Sequence, residues 1–380
     1  MNLTASDALY DRLHALCVTP GPSGREELVR ELLIERWGPR LTSLEVDAVG
    51  NVVGRLGAAG PRLALVAHMD EIGWTVRHIT ADGFLLVDTA QGSRAEGPPI
   101  RHMIGHEVVV LGRSGVVASG VFAAASGHLL TRERVEQQSL GWSDFFVDLG
   151  VSTQVEAEAA GVYVGSPVVF GPAPGRLGSR IVGKAMDDRV ALCILDLLLE
   201  RLDPAMLRCS VLFVATVHEE GGLHGAHAVS LAGHADLAVV LDVGLVGDIP
   251  TVEATEYAAR LGAGPTLVHK DGQIAYDHRL TWAIADVATA AGIAYQHGVF
   301  SQFSSDGIPL MRAGVPTALI GVPTRYTHTA FELVDPVDVL ATTQLLEALV
   351  TSDELGKLAR RTSLRSRAGD PQAADELTKG

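Results

Sequence analysis

The run Leu63-Ala64-Leu65-Val66 stops abruptly in Ala67-His68-Met69-Asp70-Glu71, and that junction constrains the fold more than any other stretch of the chain. A short apolar run without a helical period reads as a buried strand, so the His, Asp and Glu that follow stand at its carboxyl end. Open α/β sheets place their sites there. Strands over residues 210–216 and 237–242 repeat the pattern, leading into His218-Glu219-Glu220-Gly221-Gly222 and ending in Asp242. Helical spacing of apolar positions over 5–16, 26–37, 190–202, 225–231 and 281–291 alternates with these strands. The alternation predicts an α/β fold, a mixed sheet covered by helices on both faces.

Residues 46–56 read as a hairpin around Gly50-Asn51. From residue 72 to 170 the texture changes to short alternating stretches rich in Val and Gly, such as Glu107-Val108-Val109-Val110-Leu111-Gly112. Long helix and strand signals return only after Pro172-Ala173-Pro174-Gly175. One domain inserted into another accounts for that order: residues 1–71 and 171–350 form a discontinuous larger domain, and residues 72–170 a β-rich insertion. Beyond residue 350 the chain turns polar and charged, with Arg360-Arg361 and Arg365-Ser366-Arg367, and 351–380 reads as a mobile tail.

Composition removes several functions. The formal charge of −15 argues against nucleic acid as a partner, because phosphate binding needs a surplus of Lys and Arg on one face. Apolar runs at 192–199 and 237–246 are broken by Asp196 and Asp242 and fall short of the ~20 residues that span a membrane. No basic segment followed by an apolar core opens the chain, so a secretory signal is not expected. Three widely spaced cysteines, Cys17, Cys193 and Cys209, offer neither a disulfide framework nor a cysteine zinc site, and suit a reducing cytoplasm.

Two further polar clusters join the three above: Lys184-Ala185-Met186-Asp187-Asp188-Arg189 and Tyr326-Thr327-His328-Thr329. Carboxylate oxygens and imidazole nitrogens together suit zinc, manganese or cobalt. Singly each cluster says little, since an Asp-Asp pair usually caps a helix. His218-Glu219 begins like the helical H-E-x-x-H motif, but its fifth residue is Gly222, and that reading fails. The segment from Gly178 to Ala185 has the skeleton of a phosphate loop. Ala185 stands where Mg²⁺ binding needs Ser or Thr, which makes nucleotide binding improbable. His224, His227 and His234 read as solvated or site-lining side chains.

In order and rough spacing these clusters resemble the dinuclear zinc aminopeptidases of the glutamyl and deblocking aminopeptidase family, whose members form tetrahedral particles. The match runs from Pro20-Gly21-Pro22-Ser23-Gly24-Arg25-Glu26 to Pro323-Thr324-Arg325-Tyr326-Thr327-His328. The resemblance implies a zinc exopeptidase-like fold and the removal of N-terminal residues from peptides. It implies that His68 and Asp242 bind one divalent ion, zinc or in its place cobalt or manganese. Glu220 and His328 would bind a second, and Asp187 would bridge the two. Asp70 would hold the far ring nitrogen of His68, Asp188 would follow the bridge in an unusual backbone turn, and Glu219 would act as general base. Both glutamates can reach one site only if the strand before them ends, and Gly221-Gly222 is the expected break. The insertion at 72–170 would mediate dimer contacts in a homo-oligomer, a dimer-based dodecamer.

Gly221 and Ala191 depart from the family pattern without removing a ligand, and residues 302–307, with Asp306, replace its Gly-Thr-Asp-rich loop. A hydrolase of blocked dipeptides or other small amides is the alternative on the same residues. A glycosidase with paired carboxylates would leave His68, Asp242 and His328 without a role.

Overall fold

The computed structural model describes residues 3–57, 60–90, 103–129, 141, 144–229, 234–253 and 255–359. Strands β1 (Ser43–Val46), β2 (Val52–Leu56) and β3 (Arg62–His68) open the main sheet. Strands β4 (Trp74–Ile79), β5 (Leu85–Thr89), β6 (Glu107–Gly112), β7 (Gly115–Ala124), β8 (Phe145–Asp148) and β9 (Pro167–Phe170) leave it. The chain returns with β10 (Gly175–Leu177), β11 (Arg180–Gly183), β12 (Ser210–Thr216), β13 (Leu237–Leu245), β14 (Thr266–Lys270), β15 (Gln296–Val299), β16 (Thr317–Arg325) and β17 (Glu332–Val334).

Strands β3, β12, β13 and β16 are almost wholly buried, as parallel strands with both faces covered must be. They lie side by side in the order β12-β3-β13-β16, all parallel. Their side chains alternate between two cores: Leu63, Leu65 and Ala67 enter one, Ala64 and Val66 the other. The first core is closed by the helices Leu3–Val18, Glu27–Trp37, Met186–Arg201, His278–Ala290 and Pro336–Thr351. The second is thinner, with Val229, Phe300, Leu310 and Val315 around the short helices His224–Ala228 and Gly307–Arg312. The expected mixed sheet with helices on both faces is present, with β1 and β2 added as an antiparallel hairpin.

Strands β4 to β9 close into a barrel in the order β4-β5-β8-β7-β6-β9. It has its own core, centred on Trp74, whose ring meets those of Phe122 and Phe170 edge-on at 4.6 and 4.8 Å. The helix expected over 225–231 runs from His224 to Ala228, and residues 230–233 lie outside the described residues. So do the basic clusters of the polar tail, Arg360-Arg361 and Arg365-Ser366-Arg367. Among the described residues no helix is long and apolar enough to cross a membrane.

Candidate metal centre

Neighbouring parallel strands bring their carboxyl ends together, and four of them supply the polar clusters seen in the sequence. Strand β3 ends on His68, β12 ends at Thr216 just ahead of Glu219 and Glu220, β13 carries Asp242 near its end, and β16 leads into His328. Asp187 arrives separately, at the start of the helix that follows β11. Two groups of ligand atoms result. His68, Asp187 and Asp242 form one, and Asp187, Glu220 and His328 the other, the atoms within each lying within 4.8 Å of one another.

Asp187 belongs to both groups, through different oxygens. Its Oδ1 lies 3.1 Å from His68 Nε2 and its Oδ2 3.4 Å from His328 Nε2. Glu220 Oε2 lies 3.3 Å from the same His328 nitrogen, while Glu220 Oε1 is buried without a partner. Glu219 is a member of neither group, although its Oε2 approaches His68 Nε2 to 3.8 Å. His328, with 56% of its side chain accessible, is the open edge of the site.

Backbone strain gathers around these residues. Among the described residues, the non-glycine residues with positive φ are Ala185, His218, Leu223, Tyr326 and His328, with φ between 53° and 63°. Each stands within three residues of a candidate ligand. Such conformations cost ~1–3 kcal/mol apiece and persist where the surrounding structure imposes them. Asp187 (φ −78°, ψ 103°) and Asp188 (φ −119°, ψ 35°) depart from helical geometry, so the expected unusual turn is present. The strand breaks earlier than expected: β12 ends at Thr216 and His218 (φ 53°) turns the chain ahead of the glutamates, while Gly222 (φ 120°) turns it again after them. A turn placed ahead of both residues lets them face the same site.

Asp70 is more than a partner for His68. The His68 Nδ1 donates to the backbone oxygen of Asp70 at 3.1 Å, with the carboxylate Oδ1 slightly further at 3.4 Å. A carbonyl can only accept, so Nδ1 carries a proton, and Nε2 is the ring nitrogen turned to the site, 3.1 Å from Asp187 Oδ1. The Asp70 carboxylate also accepts from the N–H groups of Glu219 and Glu220 and from the Ser23 hydroxyl. It therefore fixes the backbone of both glutamates.

Other residues hold this arrangement from behind. Asn51 ties the approach to the glutamates, accepting from Val217 N–H and donating to Gly225 O. Gly225 packs so closely there that a Cβ would lie 2.1 Å from Val217 O. Glu26 Oε1 accepts from His218 N–H, Asp306 accepts from the Thr216 hydroxyl, and Glu332 accepts from Asp187 and His328. Lys184, the lysine of the apparent phosphate loop, is 3% exposed and paired with Glu71 at 2.6 Å. It is a structural cation, and the loop before it is the β10–β11 hairpin. Lys184→Met should lower the stability of the metal-free protein by ~3 kcal/mol or more, because the Glu71 carboxylate stays buried, with the Gly21 N–H on Oε1 but the Arg189 guanidinium no nearer than 3.6 Å. A urea midpoint unchanged from that of the unaltered chain would contradict this.

The electrostatics ask for a cation. Burial pushes the carboxyls of Glu219, Glu220 and Asp242 above their ordinary values, and neighbouring carboxylates add to the shift. Burial also works against ionised Asp187, but hydrogen bonds from His328 and His68 outweigh it and hold that carboxyl below its usual range. The His328 imidazole is pushed well up, first by Glu220. Clustered carboxyls, two imidazoles and an unpartnered Glu220 oxygen form a donor set that fits borderline divalent ions. His224, His227 and His234 join neither group; His224 instead faces His218, ring to ring, at 6.2 Å.

The profile of a family described as M42 glutamyl aminopeptidase matches residues 50–345. The "Putative aminopeptidase FrvX" of Escherichia coli (strain K12) is 31% identical over 345 residues, 90% of this chain and 94% of that protein. Among solved structures, an aminopeptidase from the archaeon Desulfurococcus kamchatkensis superposes with a TM-score of 0.85 at 31% identity, covering 93% of this chain and 98% of its own. The TET1 peptidase of Pyrococcus horikoshii, described as assembling into a tetrahedron or a large octahedral shell, gives 0.79 at 28%, covering 90% and 99%.

Proposed function

The chain belongs to the M42 glutamyl aminopeptidase family, and from that premise we propose a two-ion aminopeptidase in which His68, Asp187 and Asp242 hold one divalent ion and Asp187, Glu220 and His328 the other. The observation that carries the reading is the double membership of Asp187, whose two oxygens face two different imidazoles. A shared carboxylate lets two cations sit close with part of their repulsion neutralised. Zinc, or cobalt or manganese in its place, would supply Lewis acidity toward the peptide carbonyl and lower the pKa of a water.

The remaining work falls to the chain's own groups. Glu219 stands beside the ligands without joining them, so its carboxylate can take a proton from the attacking water and pass it to the leaving amine. Asp70 holds the Glu219 main chain and the His68 ring in place for that transfer. The carboxylate-rich surroundings favour a substrate that brings a positive α-amine. Unblocked peptides should therefore be cleaved with higher kcat/KM than their N-acetylated forms. The reverse order would favour the second reading, a hydrolase of blocked dipeptides or other small amides on the same ligands. Elemental analysis should find two ions per chain, and chelation should abolish hydrolysis; a metal-free preparation of full activity would overturn the two-ion reading.

Residues 1–71 with 171–350 act as the catalytic domain in this proposal, and residues 72–170 as an inserted domain that serves assembly. The likeness to a peptidase described as assembling into a tetrahedron or a large octahedral shell supports a homo-oligomer, and the reading proposed for it is a dimer-based dodecamer. Light scattering should find a large particle, and a fully active monomer at every concentration would contradict it. A cytoplasmic setting accords with Cys17, Cys193 and Cys209, all buried as unpaired thiols.

A further inference from the structure

Glu332 is 1% exposed, yet it is neither a candidate ligand nor paired with a cationic side chain among the described residues. Its two oxygens are spent on two backbone donors. Oε2 accepts from Asp187 N–H at 2.9 Å and Oε1 from His328 N–H at 2.6 Å. One donor belongs to the residue shared by both ligand groups, the other to the most exposed of the candidate ligands. Strand β17 places the carboxylate between them, because it pairs with β11, which leads into Asp187, and with β16, which leads into His328.

We propose that Glu332 is a positioning residue that sets the spacing of Asp187 and His328, and that it governs the ion site of Asp187, Glu220 and His328 far more than the site of His68, Asp187 and Asp242. The inequality follows from what else holds each ligand. His68 is fixed independently, through its main-chain N–H to the Asp188 carboxylate at 3.3 Å and its Nδ1 to Asp70 O. Asp242 lies within β13, paired with Gly321 of β16. His328 sits outside any strand at φ 62°, and its N–H bond to Glu332 is what fastens that strained residue to the sheet. Gln in place of Glu332 has a single oxygen, so its NH₂ must face one of the two N–H donors.

The inference rests on the two-ion reading, and the test separates the two. Metal-free protein is titrated with Co²⁺, following heat and the visible absorption of each equivalent, for the unaltered chain, E332Q, H328A and the double variant. In E332Q the equivalent that H328A removes should lose ~10–100-fold in affinity, the range for a partner that orients a ligand, while the other keeps its affinity and spectrum. The double variant should bind no worse than H328A alone. Should E332Q not fold, E332D, whose shorter arm cannot span both donors, gives the same reading. Fewer than two equivalents in the unaltered chain would overturn the two-ion reading itself. Two equivalents there, with both affinities unchanged or both lowered equally in the variant, would overturn the role of Glu332.

Discussion

Glu219→Gln should leave both ions bound and the fold intact while lowering kcat by ~10²–10⁴, the range ascribed to a general base. The main chain and the side chain of this residue have separate surroundings. Its main-chain N–H is held by Asp70 Oδ1, a bond that the substitution does not touch. Its side chain approaches His68 Nε2 at 3.8 Å without completing a ligand group. Gln keeps the volume and removes only the capacity to accept a proton, so the loss should fall on kcat with KM little changed. The neighbouring Glu220→Gln reports on the other function, weakening the ion shared with His328. If the Glu219 variant turns over at nearly the normal rate with both ions present, another group carries the proton.

The main sheet was legible because its central strands are buried on both faces. Continuous apolar runs such as 63–66 and 210–216 cannot be surface structure, and a polar cluster at the end of each marks a carboxyl end. The barrel was legible as alternating strands but not as a closed form, since closure depends on β4 pairing with β9, where Trp74 meets Val168. Nothing local encodes a contact at that separation.

The candidate ligands had a signal only as a set, because a single His or Asp at a strand end is commonplace. What supports them was mostly invisible. Positive φ at His218 is not written in the residue type, so the glycines after it were the natural place to expect the break. Glu332 had one faint cue, a carboxylate inside Phe331-Glu332-Leu333-Val334, where Glu332, Leu333 and Val334 form a wholly buried strand. A charge in such a run needs partners, and those partners are backbone groups that no sequence pattern can name. Lys184 shows the opposite failure. Its phosphate-loop spacing is conspicuous in the sequence and has no counterpart in the fold, where it answers Glu71.

Asp187→Ala should remove both ions together and cost more activity than the loss of the base alone, beyond ~10²–10⁴ in kcat/KM. The expectation follows from the geometry of one carboxylate. Oδ1 faces His68 Nε2 and Oδ2 faces His328 Nε2, and no other described residue stands in both groups. Without it each group keeps only two ligands, too few to hold an ion against the mutual repulsion of a second. The companion His328→Ala removes a ligand from one group only and should leave the other ion in place. Loss of ions is distinguished from loss of fold by circular dichroism of the metal-free proteins, in which the Asp187 variant should match the unaltered chain. Asp187→Asn, with a single oxygen, can serve one group at most, and elemental analysis should find no more than one ion. A clean loss of a single ion in Asp187→Ala would mean that the carboxylate serves one site, and the bridge would have to be assigned elsewhere.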